Sequence, residues 1–511
     1  MSSLQSLLLR TRCTIRASTK IHQDMLHSVL RSPMSFFDTT PIGRILNRFS
    51  SDLQRCDEML PRSVSNMINT MVNVVSAVVV IGLSTPLMLV LMLPLVMVYR
   101  YLQQRCMRSS RELQRLDSAT RSPIFAHFQE SIGGVPTIRA YDQQPRFVYE
   151  NEFRIGQNMR AFYTCFSLNC WLSLRIEMLG NTVILGTTLL AIGSAQYFGY
   201  GDAGLVGLAV TYALDFISSL NWSIHNYADV ANSMTQLERV IEYAELPSES
   251  PGVVEDCRPT TMWPNQGMVE FKDYSTRYRD GLDLVLKGLS FRVLPNQKVG
   301  IVGRTGAGKS SLTLALFRII EAASGQILLD GEDIAKYGLF DVRSKLSIIP
   351  QDPVLFAGTV RENLDPFNNY SDQNIWQALE HAHLADFIRT KDERLEFVVT
   401  QSGENFSVGQ RQLICLARAL LKRAKVLVLD EATAAIDNAT DTIIQESIRS
   451  EFKNCTVLTI AHRLNTIIDS DMILVVDGGR LAEYDTPQNL LENENSLFAK
   501  LVEEAQATDS Q

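Results

Sequence analysis

Between Arg62 and Arg100 the chain carries no charged residue, and the run is broken only at Ser84, Thr85 and Pro86. At a rise of 1.5 Å per residue this pattern predicts two membrane crossings, 64–83 and 87–102, joined by a tight outer turn. A second apolar stretch covers 161–198, interrupted by Arg175 and Glu177, and a third covers 203–228, interrupted by Asp215 and His225. They predict crossings at 170–197 and 203–226. In 103–160 charges mix with periodic apolar positions around one Gly133-Gly134-Val135-Pro136 break. That mixture predicts long helices continuing below the bilayer, where such extensions meet another domain. Arginines crowd 31–62, 100–160 and the region from 239 onward, whereas the turns at 84–86 and 196–203 hold no Lys or Arg. The positive-inside rule therefore places both chain ends in the cytosol.

Past residue 246 the pattern changes. A stretch rich in Pro, Ser and acids, 247–265, reads as a linker, and after it short β-branched runs alternate with helical periodicity, the signature of an α/β domain over 266–511. The predicted architecture is an all-α transmembrane helical domain at 17–246 followed by an α/β nucleotide-binding domain. Residues 1–16 stand apart. Arg10, Arg12, Arg16 and Lys20, with many Ser and Thr and no acid before Asp24, have the composition of a mitochondrial transit peptide; the reading adopted is the stub of a helix whose upstream part is missing.

Whole-chain averages conceal this division. The 511 residues are 46% apolar and 20% charged, with a mean hydropathy of +0.01. These values exclude collagen-like, disulfide-scaffold and wholly disordered chains, but apolar spans vanish in so long an average. Residues 1–250 hold 21 Lys and Arg against 19 Asp and Glu, and 251–511 hold 27 against 37. Neither half has the charge of a nucleic-acid binder. The eight cysteines form no CxxC pair and no Cys/His cluster, and read as reduced thiols.

The candidate chemistry lies in the second half. The run 298–302 reads as a strand, and directly after it come Gly303-Arg304-Thr305-Gly306-Ala307-Gly308-Lys309-Ser310 and a helical pattern that includes Ser311. This is GxxxxGK[ST], the P-loop, in its strand-loop-helix context. The glycines let backbone N–H groups close around phosphates, and the helix N-terminus adds its dipole. Lys309 is placed to reach the β- and γ-phosphates, and the Ser310 hydroxyl to bind Mg2+. At 426–431 four apolar residues form a buried parallel strand that delivers Asp430 and Glu431 to its C-terminal edge, where ligands bind in such sheets. Asp430 is the expected Mg2+ partner, and Glu431 the expected base for an attacking water. His462, at the end of another strand, is the candidate γ-phosphate contact.

Between these motifs lies Phe406-Ser407-Val408-Gly409-Gln410, which resembles the LSGGQ signature peptide of ABC transporters. With it come Gln351 at the Q-loop position, a Mg2+ contact in that family, Ala434-Ala435-Ile436-Asp437 as the D-loop, and His462 as the H-loop. Tyr278 stands where the family stacks an aromatic on adenine, with Tyr274 the competing choice. Phe406 and Val408 depart from Leu and Gly, Val408 in the manner of the second nucleotide-binding domain of one subfamily. Residues 26–37 and 40–49, together with 304–311, resemble the C-terminal half of that C subfamily, the multidrug resistance-associated type. In the family this half has six crossings of the type IV, exporter-like fold. Four are readable here, so the chain is expected to be a partial half or a fragment.

The resemblance implies an ATP- and Mg2+-dependent exporter of small amphipathic compounds in the lipid bilayer of a plasma, vacuolar or lysosomal membrane, with the nucleotide-binding domain cytosolic. Family ATP sites form between two nucleotide-binding domains. This chain is expected to supply Tyr278, Lys309, Ser310, Gln351, Asp430, Glu431 and His462 to one site, and Ser407, Gly409 and Gln410 to the other. Its partner is expected to be an N-terminal half or a second ABC half. Residues 36–48 and 132–147 occupy the family's coupling-loop positions. Tyr212, Asp215, Ser219 and Trp222, spaced by 3, 4 and 3, share one face of the last span and are the candidate translocation wall, since an intramembrane acid is costly unless it faces water or a partner. Where organic-anion carriers of the family have two Arg, this chain has His225 and Cys170, which favours a neutral or cationic amphiphile. Two rival readings remain open, an ATP-gated channel or channel-regulatory subunit of the same subfamily, and a soluble chromosome-maintenance type ATPase.

Overall fold

The computed structural model describes residues 2–84, 86–198, 203–430, 438–460, 467–493 and 495–509. The chain divides into two compact units. The first comprises Met1–Val29 and Gly43–Glu245, the second Leu30–Ile42 and Leu246–Gln511.

The first unit is helical. It contains α1 (Ser2–Leu30), while α2 (Met34–Thr39) belongs to the second unit; α3 (Ile42–Asn47) and two π-helical turns, Arg48–Asp52 and Arg55–Met59, lead into α4 (Leu60–Ser84). Then come α5 (Pro86–Gly133), α6 (Val135–Ala140), α7 (Gln144–Phe198) and α8 (Ala203–Ala244). Helix α5 ends at the expected Gly-Gly break, and Pro136 sits in the first turn of α6, where its missing N–H leaves no bond unmade. Helix α7 has 55 residues, a length of roughly 80 Å against a hydrocarbon core of about 30 Å. The four expected crossings all fall on helix, within α4, α5, α7 and α8. Among the described residues one stretch, Ile42–Leu83, is long and apolar enough to cross a membrane by length and composition.

Packing in this unit is centred on Ala77, Ile81, Met92, Val183, Ala213 and Phe216, all buried. Small residues at 77 and 213 let α4 and α8 approach closely, as helices in lipid require. The two helices also share a buried polar bond, Asn226 Nδ2 donating to Thr70 Oγ1 at 3.0 Å.

The second unit is mixed. Strands β1 (Val269–Thr276), β2 (Leu286–Val293), β4 (Ala322–Leu329) and β5 (Glu332–Asp333) form an antiparallel sheet in the order β2-β1-β4-β5. A six-stranded sheet runs β12-β11-β3-β10-β9-β6, from β3 (Lys298–Val302), β6 (Leu346–Ile349), β9 (Val426–Asp430), β10 (Thr456–Ile460), β11 (Met472–Asp477) and β12 (Arg480–Asp485). All of its pairings are parallel except β11 with β12. Short β7 (Gly358–Thr359) and β8 (Val398–Val399) pair separately. The helices are α9 (Lys309–Leu316), α10 (Leu339–Lys345), α11 (Val360–Leu364), α12 (Asp372–His381), α13 (Ala385–Arg389), α14 (Val408–Lys422), α15 (Asn438–Glu451), α16 (Pro487–Glu492) and α17 (Leu497–Asp509).

Two apolar layers sandwich the parallel strands. One joins Phe271 and Phe291 of the antiparallel sheet to Leu312 and Leu316 of α9 and to Val428 and Ile460. The other joins Leu427 and Leu429 to Leu413, Ile414 and Ala417 of α14 and to Ile375 and Leu379 of α12. Because both faces of β9 are covered, its sequence reads as an unbroken apolar run. The Pro- and acid-rich linker is bound along this unit. Glu249 receives both terminal nitrogens of Arg343 at 3.1 and 2.8 Å, and the Leu339 and Phe340 N–H groups donate to the Pro251 and Gly252 carbonyls.

Candidate functional site

Val299, Ile301 and Val302 of β3 are almost fully buried, and the strand hands the chain to the loop 303–308 at the carboxyl edge of the six-stranded sheet. Two positions in that loop demand glycine. Gly303 has φ 155°, and a Cβ on it would lie 2.3 Å from the Val476 carbonyl oxygen; Gly308, the N-cap of α9, has φ 104°, and a Cβ would lie 2.9 Å from Leu286 Cδ2. The loop is tied from outside as well. The Gly479 N–H donates to the Ala307 carbonyl at 3.1 Å, and the Lys287 N–H donates to the Gly479 carbonyl at 2.8 Å. Sequence reasoning missed Gly479; its one signal was the Gly478-Gly479 pair after the apolar run of β11.

Lys309, 7% exposed, arches back over the loop, its Nζ donating to the Gly303 carbonyl at 2.6 Å and the Arg304 carbonyl at 3.4 Å. The ammonium thus stands inside the turn that the glycines make. Arg304, Thr305 and Gly306 are exposed, Ala307 is buried, and Ser310 is exposed on the first turn of α9. Ser311 is buried, and its Oγ lies 2.8 Å from the Tyr278 hydroxyl. Tyr278 is 36% exposed beside α9. Tyr274 is 3% exposed, packs edge-on to Phe271, and has its hydroxyl pKa pushed up to about 12 by burial. Of the two tyrosines, only Tyr278 therefore offers its ring to the neighbourhood of the loop.

The strand register sets the other edge residues. Ile460 pairs with Ile301 on one side and with Asp430 on the other, and Ile349 pairs with Leu429. Asp430 is thus level with Ile301, two strands away, a lateral separation of about 9–10 Å. Pro350 follows Ile349 at the same edge, so Gln351, which is exposed, emerges one residue beyond the level of Asp430. The buried Gln412 of α14 anchors this turn, its Nε2 donating to the Pro350 carbonyl at 3.0 Å. Glu431, the segment 434–437 and His462 lie outside the described residues.

Ser407 is the N-cap of α14. Its Oγ accepts from the Gln410 N–H at 3.1 Å, and the Gln410 Oε1 accepts from the Ser407 N–H at 3.0 Å, a complete capping box. Gly409 is buried, whereas Ser407 and Val408 are exposed. Phe406 is 4% exposed and meets Phe387 and Phe397 edge-on, at 5.9 and 5.8 Å. An aromatic ring at the first signature position therefore fills a core rather than facing a ligand.

In the first unit, the stripe on α8 is uneven. Asp215 and Trp222 are exposed, and Tyr212 and Ser219 are half-buried. A cavity of about 490 Å3 in the second unit, bordered by His381, Arg423 and Glu451, contains none of the expected nucleotide residues.

A loop that only glycine can form, a lysine held inside it and the start of a helix make a cradle of N–H donors and one cation. That cradle fits phosphate groups. With Asp430 and Gln351 at the same sheet edge, the unit is a nucleotide-binding domain that follows a helical transmembrane domain.

Comparison with known proteins narrows the class. Residues 1–220 match the family described as ABC transporter transmembrane region, and residues 286–434 match the family described as ABC transporter. The chain belongs to the ABC transporters, and its relatives are of the C-subfamily, multidrug resistance-associated type, whose C-terminal half it matches. It is 52% identical over 503 residues to the metal resistance protein YCF1 of Saccharomyces cerevisiae, covering 98% of this chain and 33% of that protein. It is 51% identical over 477 residues to the human ATP-binding cassette sub-family C member 3, covering 93% and 31%. To the multidrug resistance protein mrp-7 of Caenorhabditis elegans it is 48% identical over 494 residues, covering 97% and 32%. The chain spans about a third of the length of the curated relatives it matches. The transmembrane-region match makes it a membrane protein, and the ABC transporter match implies ATP as the nucleotide.

Proposed function

We propose that the chain acts as the ATP-binding and hydrolysing half of an exporter of type IV fold, crossing the membrane several times and moving small amphipathic organic compounds. The observation that carries this reading is the cradle at 303–308, with Lys309 inside it and Asp430 and Gln351 at the same sheet edge. In this reading the loop is a P-loop. Its N–H groups and Lys309 hold the β- and γ-phosphates, and Tyr278 stacks on the adenine. The oxygen donors Ser310, Gln351 and Asp430 suit Mg2+, a hard cation that, when bound, neutralises charge on the phosphates. Glu431 takes a proton from the attacking water, and His462 orients the γ-phosphate.

The signature residues Ser407, Gly409 and Gln410 serve a second site, closing over the P-loop of a partner half. One feature supports this assignment: Ser407 stands exposed at the start of a 15-residue helix, whose N-terminus suits phosphate. Residues 36–48 and 132–147 carry the motion to the membrane; the inclusion of Leu30–Ile42 in the nucleotide-binding unit supports this for the first of them. The stripe Tyr212, Asp215, Ser219 and Trp222 is proposed as translocation wall, in a plasma, vacuolar or lysosomal membrane.

The test is ATP binding and turnover by the purified chain, alone and with a partner half. Alone it is expected to bind ATP with little turnover. With the partner, turnover is expected to appear, and Glu431→Gln is expected to abolish it while leaving binding intact. Robust turnover by a demonstrated monomer would sink this reading.

A further inference from the structure

Where α5, α7 and α8 meet, the first unit forms an open pocket of about 150 Å3, with polar walls from half-buried Ser110 and Ser173 and exposed Gln114, Asn169, Asp229 and Asn232. That is the space of about five waters. Its wall residue Ile176, 2% exposed, also lines a second cleft of about 50 Å3, whose walls are Met92, Leu95, Tyr99, Val183 and Phe216. The apolar cleft is built from residues inside the expected crossings. The polar cavity is built mainly from 106–114 and 228–232, just beyond the expected span ends at 102 and 226. The two voids lie on either side of the Ile176 side chain, an apolar one at membrane depth and a polar one at the inner boundary.

The charge pattern of the polar end is specific. Helix α5 carries five arginines between 100 and 115, yet Cys106, Met107, Ser110 and Gln114 are its residues at the cavity, and among the described side chains no Arg, Lys or His lines it. Among the described residues Asp229 is the one acidic side chain there. Cys106 is a neutral thiol, and burial pushes its pKa further up. The remaining polar atoms are amides and hydroxyls, whose oxygens can accept. Asp229 also lies seven residues after Trp222, hence within about 20° of the same α8 face, so it extends the proposed translocation stripe two turns inward.

We infer that these adjoining cavities bind an amphiphile with an ammonium head group, the head beside Asp229 and the first methylenes of its chain displacing the Ile176 side chain towards Met92 and Phe216. Among the described side chains an anionic head meets one carboxylate and no cation there, and is disfavoured. The inference rests on the exporter reading for its role, as the inner entry to the α8 stripe, but the binding itself requires no nucleotide. A free cationic amphiphile and the choline head of a phospholipid share this chemistry, and the probes below distinguish them.

The experiment is equilibrium binding of radiolabelled decyltrimethylammonium to the full chain in maltoside micelles, without nucleotide, with ATP binding measured on the same sample. Saturable binding is expected, unaffected by equimolar decyl sulfate. Asp229→Asn is expected to weaken it about tenfold, the scale of one charge-assisted contact, and Ile176→Trp to block it. Asn232→Asp, which adds a second carboxylate, is expected to tighten it, and Glu177→Gln, an exposed acid on the same helix as Ile176, to leave it unchanged. Displacement by short-chain phosphatidylcholine would support the same site with lipid as its occupant. Equal binding by wild type and Asp229→Asn, or equal competition by decyl sulfate, overturns the inference. A chain that binds ATP but not the probe sinks this inference alone, whereas one that binds neither sinks the functional reading as well.

Discussion

The Tyr278 hydroxyl lies 2.8 Å from Ser311 Oγ, so the candidate adenine-stacking ring is tied to the helix that begins at the phosphate cradle. The bond sets the ring's position through the first turn of α9. Two separable effects follow. Tyr278→Phe removes the bond but keeps the ring, and is expected to weaken ATP binding by less than about threefold, since a neutral hydrogen bond contributes about 1 kcal/mol net or less. Tyr278→Ala removes the stacking surface, and is expected to weaken binding about tenfold. Tyr274→Ala acts differently. It empties a buried site and is expected to cost about 3–5 kcal/mol of stability. Fluorescent-nucleotide titration and thermal unfolding of the three variants separate the roles, and a larger affinity loss for Phe than for Ala at 278 refutes the assignment.

At Ser407 the same separation can be made between local stability and assembly. Ser407→Ala breaks the capping box of α14, and is expected to cost about 1 kcal/mol, or a fall in melting temperature of about 2–4 °C for a unit of this size. ATP binding by this chain's own cradle is expected to stay within about twofold, because Ser407 is bonded into its own helix and not into the 303–308 loop. Turnover with a partner half is expected to fall by much more. Calorimetry, nucleotide titration and a steady-state ATPase assay on one preparation test this; an equal loss of own-site binding counts against a role in the partner's site.

Cys455, beneath the helical layer, provides a pH prediction. Its Sγ donates to the Ala424 carbonyl at 3.2 Å, and burial pushes its pKa from 9.0 up to about 12. Between those values the unfolded chain loses the proton and the folded chain keeps it, so the folded state binds more protons and stability falls as pH rises. The contribution is fully present below pH 9 and lost by about pH 12. Cys415, whose pKa burial also raises, acts in the same direction. At pH 7.5, alkylation followed by mass spectrometry is expected to label exposed Cys257 while Cys455 and Cys415 stay protected until the domain unfolds. Early labelling of Cys455 contradicts this placement.

Much of the nucleotide site was legible in the sequence because its chemistry is local. The spacing of Gly303, Gly308, Lys309 and Ser310 encodes a turn whose φ values only glycine adopts and a helix start that follows it, and the structure has both. Ser407 and Gln410 announce a capped helix by their three-residue spacing in the same way. The break at 133–136 was readable because Gly and Pro restrict their own backbone. Gly479 was not legible. Its contact with Ala307 brings together residues more than 170 positions apart, and nothing near 479 indicates which loop it will meet.

By itself, then, the sequence determined the membrane half and the nucleotide half, the cradle and the family, since periodicity, motif spacing and apolar run length depend on neighbours along the chain. Only the tertiary structure shows Tyr274 buried and Tyr278 exposed beside α9, because both stand at the end of one strand region and differ in which side chains surround them. It alone brought Asp229 of α8 to one pocket with Ser110 and Gln114 of α5 and Asn169 of α7. Those outcomes depend on which faces of α5, α7 and α8 pack together, and helix–helix packing is set by residues far apart in sequence.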